Sequence, residues 1–249
     1  MTNKELLKEI KRLRKENLEL KGIKTETIPE IKIYSFSKID DDDLEELVDI
    51  EQIYENKIFN EWFNFKYEIS DEVVDFLQKL LDKNGQLIFD YYEEDLKMHF
   101  LAPLINKVDF LMMKEKVRNF YDAPLTYKTD KFIFSGATDF MISSGIKRAK
   151  KPYFFIQEFK KSIKPTNPQP QLLAEMISAV ELNKTKTIRG AFTMGESWRF
   201  VILEKLEVDK YQYFISKVFN STNIEDLKGI YKNLKFVKNE IIKMVGKEK

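Results

Sequence analysis

The apolar residues of this chain change their period near residue 113. Before that point they recur every three or four positions, as on a helix; after it they alternate, as on a strand. Val73, Phe76, Leu77, Leu80 and Leu81 mark the buried stripe of a helix that Ser70 opens as N-cap, with Asp71 and Glu72 in its first turn, and that Lys83-Asn84-Gly85 closes. A second helix is predicted to open at Asp90, with Leu96, Phe100, Leu101, Leu104 and Ile105 as its apolar face and Pro103 as a kink. Glu93 projects from the edge of that face. Three strands then follow in residues 113–127, 131–143 and 152–162, and Pro124 interrupts the first or sets it partly at a sheet edge. Residues 144–152 between the last two form a basic loop.

Further on, residues 167–183 predict a helix entered through prolines. Residues 188–205 predict two strands turning tightly at Gly195, residues 211–219 a further strand, and residues 223–245 a closing amphipathic helix. The order is helix, three strands, helix, more strands, helix. It implies an α/β fold with a mixed central sheet flanked by helices.

The N-terminal part is read differently. Leu6, Ile10, Leu13, Asn17 and Leu20 follow heptad spacing, with Asn17 at an a-type position and Gly22 as a stop. Two readings stay open: a parallel coiled coil that makes a homodimer, or an amphipathic helix docked on its own domain. Residues 31–38 suit a strand. The aspartates at 40–43 suit an acidic helix start, since an EF-hand's glycine and ligand spacing are absent. The expected division is 1–22 as this first helix, 23–87 as a helical N-terminal region and 88–249 as the main domain.

Composition narrows the chemistry. The 249 residues contain no cysteine and one histidine, and the formal net charge is +1. Disulfides and thiolate metal sites are excluded, and a metal would have to be held by oxygen, which suits Mg²⁺, Ca²⁺ or Mn²⁺. The charged N-terminus lacks a signal-peptide core and no stretch has the length of a membrane span, so a cytoplasmic protein is expected. His99 is expected on the polar side of its helix, and Trp198, Phe200, Tyr211 and Tyr213 in the core. Residue usage, rich in Lys, Asn, Ile, Phe and Tyr, matches AT-rich bacterial or phage genes.

Against this background three charged residues stand out in apolar strands. Asp139 interrupts GATDFMIS, and Glu158 and Lys160 interrupt YFFIQEFKKS. Alternation puts Glu158 and Lys160 on one face, and neighbouring strands would bring Asp139 to them. Two carboxylates converging in a partly dry cleft repel unless a cation lies between them, and Mg²⁺ is the ordinary solution. The small residues Ser135, Gly136 and Ala137 would let a bulky anionic polymer approach. A buried structural salt bridge is the rival explanation, and it leaves Asp139 less well explained.

These segments resemble the bipartite motif of the PD-(D/E)xK nuclease superfamily, with its restriction-endonuclease-like core. Thr138 stands where the proline that names the motif would be. The resemblance implies a Mg²⁺- or Mn²⁺-dependent deoxyribonuclease in which Asp139 and Glu158 bind the metal and Lys160 assists the attacking water. EEDLKMHFLAPLI is similar to the N-terminal helix of nuclease domains in type I restriction subunits. It implies Glu93, with Glu94 as fallback, near the metal. PQPQLLAEM offers Gln171 first and Gln169 second for a glutamine beside the cleft, and the stretch GAFTMGESWRFVIL is similar to uncharacterised bacterial relatives. Lys147, Arg148, Lys150, Lys151, Lys160, Lys161 and Lys164 form a basic run that either binds DNA phosphates or is a solvated loop. The alternative from another class is a nucleic-acid-binding or assembly module that keeps the fold without catalysis.

Overall fold

The computed structural model describes residues 31–161 and 167–247, with positions 9, 10, 12, 13, 16 and 17 nearer the N-terminus. Met1–Lys32 and Ile33–Lys249 are two separate compact units. In the first, the described positions are helical, and Arg12 pairs with Glu9 at 2.7 Å and Glu16 at 3.4 Å along the helix. Leu6, Leu20 and Gly22 lie outside the described residues, as does Lys164, so the heptad seam is seen only at Ile10, Leu13 and Asn17.

In the second unit the alternating segments become strands. They are β1 (Lys32–Ser35), β2 (Asp49–Gln52), β3 (Val117–Lys128), β4 (Phe132–Ser144), β5 (Lys150–Lys160), β6 (Thr187–Met194), β7 (Ser197–Glu207), β8 (Lys210–Ile215) and β9 (Phe219–Asn220). They form one curled, mixed sheet in the order β1-β4-β5-β6-β7-β8-β2, with β3 on β4 and β9 on β7. β3, β4 and β5 are antiparallel, β5 and β6 parallel, β6, β7 and β8 antiparallel, and β2 parallel to β8. β3 runs unbroken through Pro124, which a strand paired only with β4 tolerates. The turn at Gly195 has a φ of 56°, in the left-handed region.

The helices are α1 (Asp41–Leu47), α2 (Asn60–Phe63), α3 (Asp71–Asn84), α4 (Glu93–Leu96), α5 (Ala102–Val108), α6 (Gln169–Asn183) and α7 (Ile224–Lys247). The acidic start is as read: Asp40 caps α1 by accepting from the Asp43 N–H at 2.9 Å. The second helix opens at Glu93 rather than Asp90, because Leu87–Phe89 forms a 3₁₀ turn first. Pro103 does not break it. A π turn at Lys97–Leu101 joins α4 to α5, and the Ala102 N–H reaches back five residues to the Lys97 carbonyl. The irregularity thus falls one residue ahead of the proline, which has no N–H to give.

Two cores flank the sheet. One gathers Trp62, Leu77, Phe100, Leu104, Phe140, Phe155, Phe200 and Leu234 under α3, α5 and α7. The other gathers Phe36, Leu44, Met141, Ile156, Leu172, Met176 and Val180 around α6. Trp198, Phe200, Tyr211 and Tyr213 are all buried, and His99 is exposed. α6 is buried all round from Pro170 to Val180, so any polar group on it must find its partners inside the protein. The region before residue 88 contributes β1 and β2, two short strands of the same sheet. Among the described residues no helix is long and apolar enough to cross a membrane.

Candidate functional site

The last ladder pair between β4 and β5 is Phe140 with Gln157. One step further, Asp139 would face Glu158, and there the strands part: β4 goes on beside β1, and β5 beside β6. Side chains replace the missing ladder bonds. The Asp139 N–H donates to Glu158 Oε1 at 3.2 Å, and the Phe159 N–H donates to Asp139 Oδ2 at 2.8 Å. Each strand's carboxylate thus satisfies a backbone donor of the other strand at the fork. Lys160 Nζ lies 3.4 Å from Glu158 Oε2 and 4.0 Å from Asp139 Oδ2. The alternation argument therefore holds in space: Asp139, Glu158 and Lys160 meet.

Two residues absent from the expected set complete the cluster. Lys97, on the π turn, is only 5% exposed, and its ammonium lies 3.9 Å from Asp139 Oδ1 and 3.4 Å from both Glu94 and Asp122. Asp122 sits on β3 across from Asp139, at a φ of 49° where the β3–β4 pairing skips a pair. Glu175, on α6, has no solvent exposure and accepts from the Gln171 amide at 3.2 Å. Its carboxyl is within hydrogen-bonding reach of Glu158, and its Oε2 finds no donor among the described residues. Carboxylates cannot donate to each other, so Glu175 and Glu158 either share a proton or repel.

The electrostatics follow from that crowding. Burial, reinforced by the Asp139 charge, pushes the Glu158 carboxyl up to about 8. Burial and the Glu158 charge hold Glu175 well above the ordinary carboxylate range. Glu93, half-buried, is raised by burial, with Lys160 acting against that shift and Asp139 adding to it. Burial alone would lower both lysines, but for Lys97 the charges of Asp139, Asp122 and Glu94 prevail, and for Lys160 those of Glu158, Asp139 and Glu93. Four carboxyls, those of Asp139, Glu158, Glu175 and Glu93, thus meet two ammoniums. Leaving aside the largely exposed Glu94 and Asp122, these four would carry two more negative charges than the lysines balance if all were ionised, an excess that Glu158, pushed up to about 8, lessens by keeping its proton near neutral pH.

The donors here are all oxygens, the kind a hard divalent cation takes. The side chains as they stand close instead on Lys97 and Lys160. Among the described residues, no three of Asp, Glu, His or Cys are drawn together as a ligand set, so Asp139, Glu158 and Glu93 share the site without converging on one point.

Other expected residues fall elsewhere. Gln171 reaches the cluster through Glu175, whereas Gln169 donates to the Tyr213 hydroxyl at 2.8 Å and belongs to another surface. Glu94 is exposed and reaches the site through its ion pair with Lys97. The basic run separates into two places. Lys147, Arg148, Lys150 and Lys151 line a depression at the β4–β5 turn with Glu115 and Lys116. Ser144, where that turn begins, is ~17 Å along the strand from Asp139 at a strand's rise per residue. Lys161 is at the opposite end of β5, beside the site. Gly136 does not open a path for substrate: a Cβ there would come 2.8 Å from the Phe36 ring, so its smallness admits Phe36 instead.

Lys97 and Glu175 had a legible signal. Each lies four residues after a residue already singled out, Glu93 and Gln171, and so on the same helical face. No protein-family model matches the chain, and neither does any curated protein.

Proposed function

We propose that this chain hydrolyses phosphodiester bonds in DNA with a divalent cation, Mg²⁺ or Mn²⁺, on a restriction-endonuclease-like core. The observation that carries this reading is the fork, where Asp139 and Glu158 trade backbone hydrogen bonds within 4.0 Å of the Lys160 ammonium. The resemblance of the same residues to the PD-(D/E)xK motif supports it.

Asp139 and Glu158 would hold the cation, with Glu93 at its margin. When bound, the cation supplies the charge the cluster lacks and acidifies a coordinated water. Lys160 would orient the attacking water and stabilise negative charge developing on a phosphate beside Asp139. Lys97 fixes the other oxygen of Asp139. Glu175, itself held by Gln171, backs Glu158 from inside the protein. The test is incubation of purified protein with plasmid and linear DNA in Mg²⁺, Mn²⁺ or chelator. Cleavage is expected only with metal and is expected to vanish in Asp139→Ala; cleavage that persists in chelator overturns the mechanism.

Lys97 favours a second reading. A second buried ammonium already neutralises part of the cluster, as in a nucleic-acid-binding or assembly module that keeps this core without catalysis. Calorimetric titration with Mn²⁺ separates the two: the hydrolase binds the ion with displacement by Mg²⁺, and the module does not.

A further inference from the structure

Tyr92 immediately precedes Glu93, and its side chain is 71% exposed. Its neighbour Tyr91 packs on the core and donates its hydroxyl to Asn84 at 2.8 Å. Tyr92 joins neither core. Its ring instead faces the Lys161 ammonium, 5.5 Å from the ring centroid. Lys161 follows Lys160 directly, so an exposed aromatic ring and an ammonium, from two separate elements, meet each other one residue away from Glu93 and Lys160. Phe89, on the 3₁₀ turn just ahead, is also about half exposed. An aromatic side chain left in water on the same short segment as a site residue has no packing role that accounts for it, whereas a π-face beside a cation suits a flat, electron-rich ring on an anionic backbone.

We infer that Tyr92 and Lys161 form a platform on which an unpaired nucleobase stacks, the Lys161 ammonium contacting the phosphate next to that base. This rests on the proposed phosphodiesterase reading and adds the form of substrate: single-stranded DNA or a frayed end. A base inside an intact duplex is covered on both faces by its neighbours and offers no free face to Tyr92.

The test uses the full chain carrying Asp139→Asn, so that binding is read without cleavage. Fluorescence anisotropy is measured at low salt with a labelled oligothymidylate, and binding to closed duplex is read by competition with unlabelled, relaxed, covalently closed circular DNA. Tyr92→Ala is expected to weaken binding of the single strand by roughly 5- to 150-fold, the range for loss of one stacked base. Binding of the closed duplex is expected to stay within about twofold, and Tyr92→Trp to retain single-strand affinity. Lys161→Ala is expected to lower the salt dependence on the single strand, as loss of a phosphate contact does.

An unchanged single-strand affinity in Tyr92→Ala, or an equal loss on both DNAs, overturns the platform. If wild-type protein still cleaves DNA only with metal in that case, the phosphodiesterase reading stands and only the platform falls. If the protein neither binds nor cleaves DNA, both fall.

Discussion

Lys97 Nζ lies 3.9 Å from Asp139 Oδ1, while Lys160 approaches Oδ2 of the same carboxylate at 4.0 Å. Asp139 is therefore held between two ammoniums, one from the sheet and one from the π turn. Lys97→Met keeps the apolar stem of the side chain and removes the charge. The metal-free variant is expected to lose about 2 kcal/mol of stability at neutral pH, less than for a fully enclosed pair because Glu94 and Asp122 are largely in solvent. Urea unfolding measures this. Repeating it with Mg²⁺ is expected to recover part of the loss, and a loss unaffected by metal would separate Lys97 from the ion site.

Asp139→Asn separates chemistry from architecture. Its amide oxygen can still accept the Phe159 N–H, a bond that Asp139→Ala would leave unmade in a partly buried place. Metal-dependent cleavage is expected to fall by on the order of 10³-fold or more, as when a charge-stabilising group leaves an active site. The melting temperature of the metal-free protein should hold or rise, since one of the crowded charges is gone. A melting temperature far below wild type, combined with retained cleavage, would reverse the assigned role.

Stability should fall as pH rises. Glu158 has an ordinary value of 4.5 and is pushed up to about 8 in the folded protein, first by burial and then by Asp139. Between those values the folded state keeps a proton that the unfolded chain has released, so it binds more protons and loses stability with each step upward. The loss is complete above about 8, and Glu175 acts in the same direction. Thermal melts of the metal-free protein at pH 5 and pH 8.5 should show the lower transition at pH 8.5. Glu175→Gln should shrink the difference, and saturating Mg²⁺ should shrink it further. A wild-type transition that is flat or rises with pH would contradict the carboxyl crowding.

Gly136→Ala tests the packing explanation for the small residues near Asp139. The added methyl would sit 2.8 Å from a ring carbon of Phe36, which is only 1% exposed and has little room to yield. A destabilisation of about 1–3 kcal/mol is expected, as for overpacking elsewhere in a core. Cleavage per folded molecule should be unchanged. A normal melt with impaired DNA binding would instead return this glycine to the substrate path.

The sequence carried the sheet well, because strands of eleven to thirteen residues such as β3, β4 and β5 show a period that short elements cannot. It also placed Asp139, Glu158 and Lys160 on converging faces, since strand alternation is fixed by backbone geometry. β1 and β2 were harder: each has four residues, and β2 finds its partner at Lys210–Tyr213, far along the chain. Glu175 shares a helical face with Gln171, but its burial was not legible. One Glu in an apolar helix normally marks a solvent face, and only the enclosure of α6 on every side turns it inward. The basic run divides because nearness in sequence is not nearness in space: β5 sets Lys150 and Lys160 at its two ends.

The exchange of backbone bonds at the fork ties the chemistry to the frame. Asp139 and Glu158 are pins that keep two diverging strands from peeling apart, whatever else they do. A descendant of this chain that abandoned hydrolysis could not shed those side chains freely. Asparagine and glutamine, which still accept an N–H, would be the tolerated replacements, and aliphatic ones would unzip the sheet from its split end. An inactive cousin should therefore be recognisable by amides at these two positions.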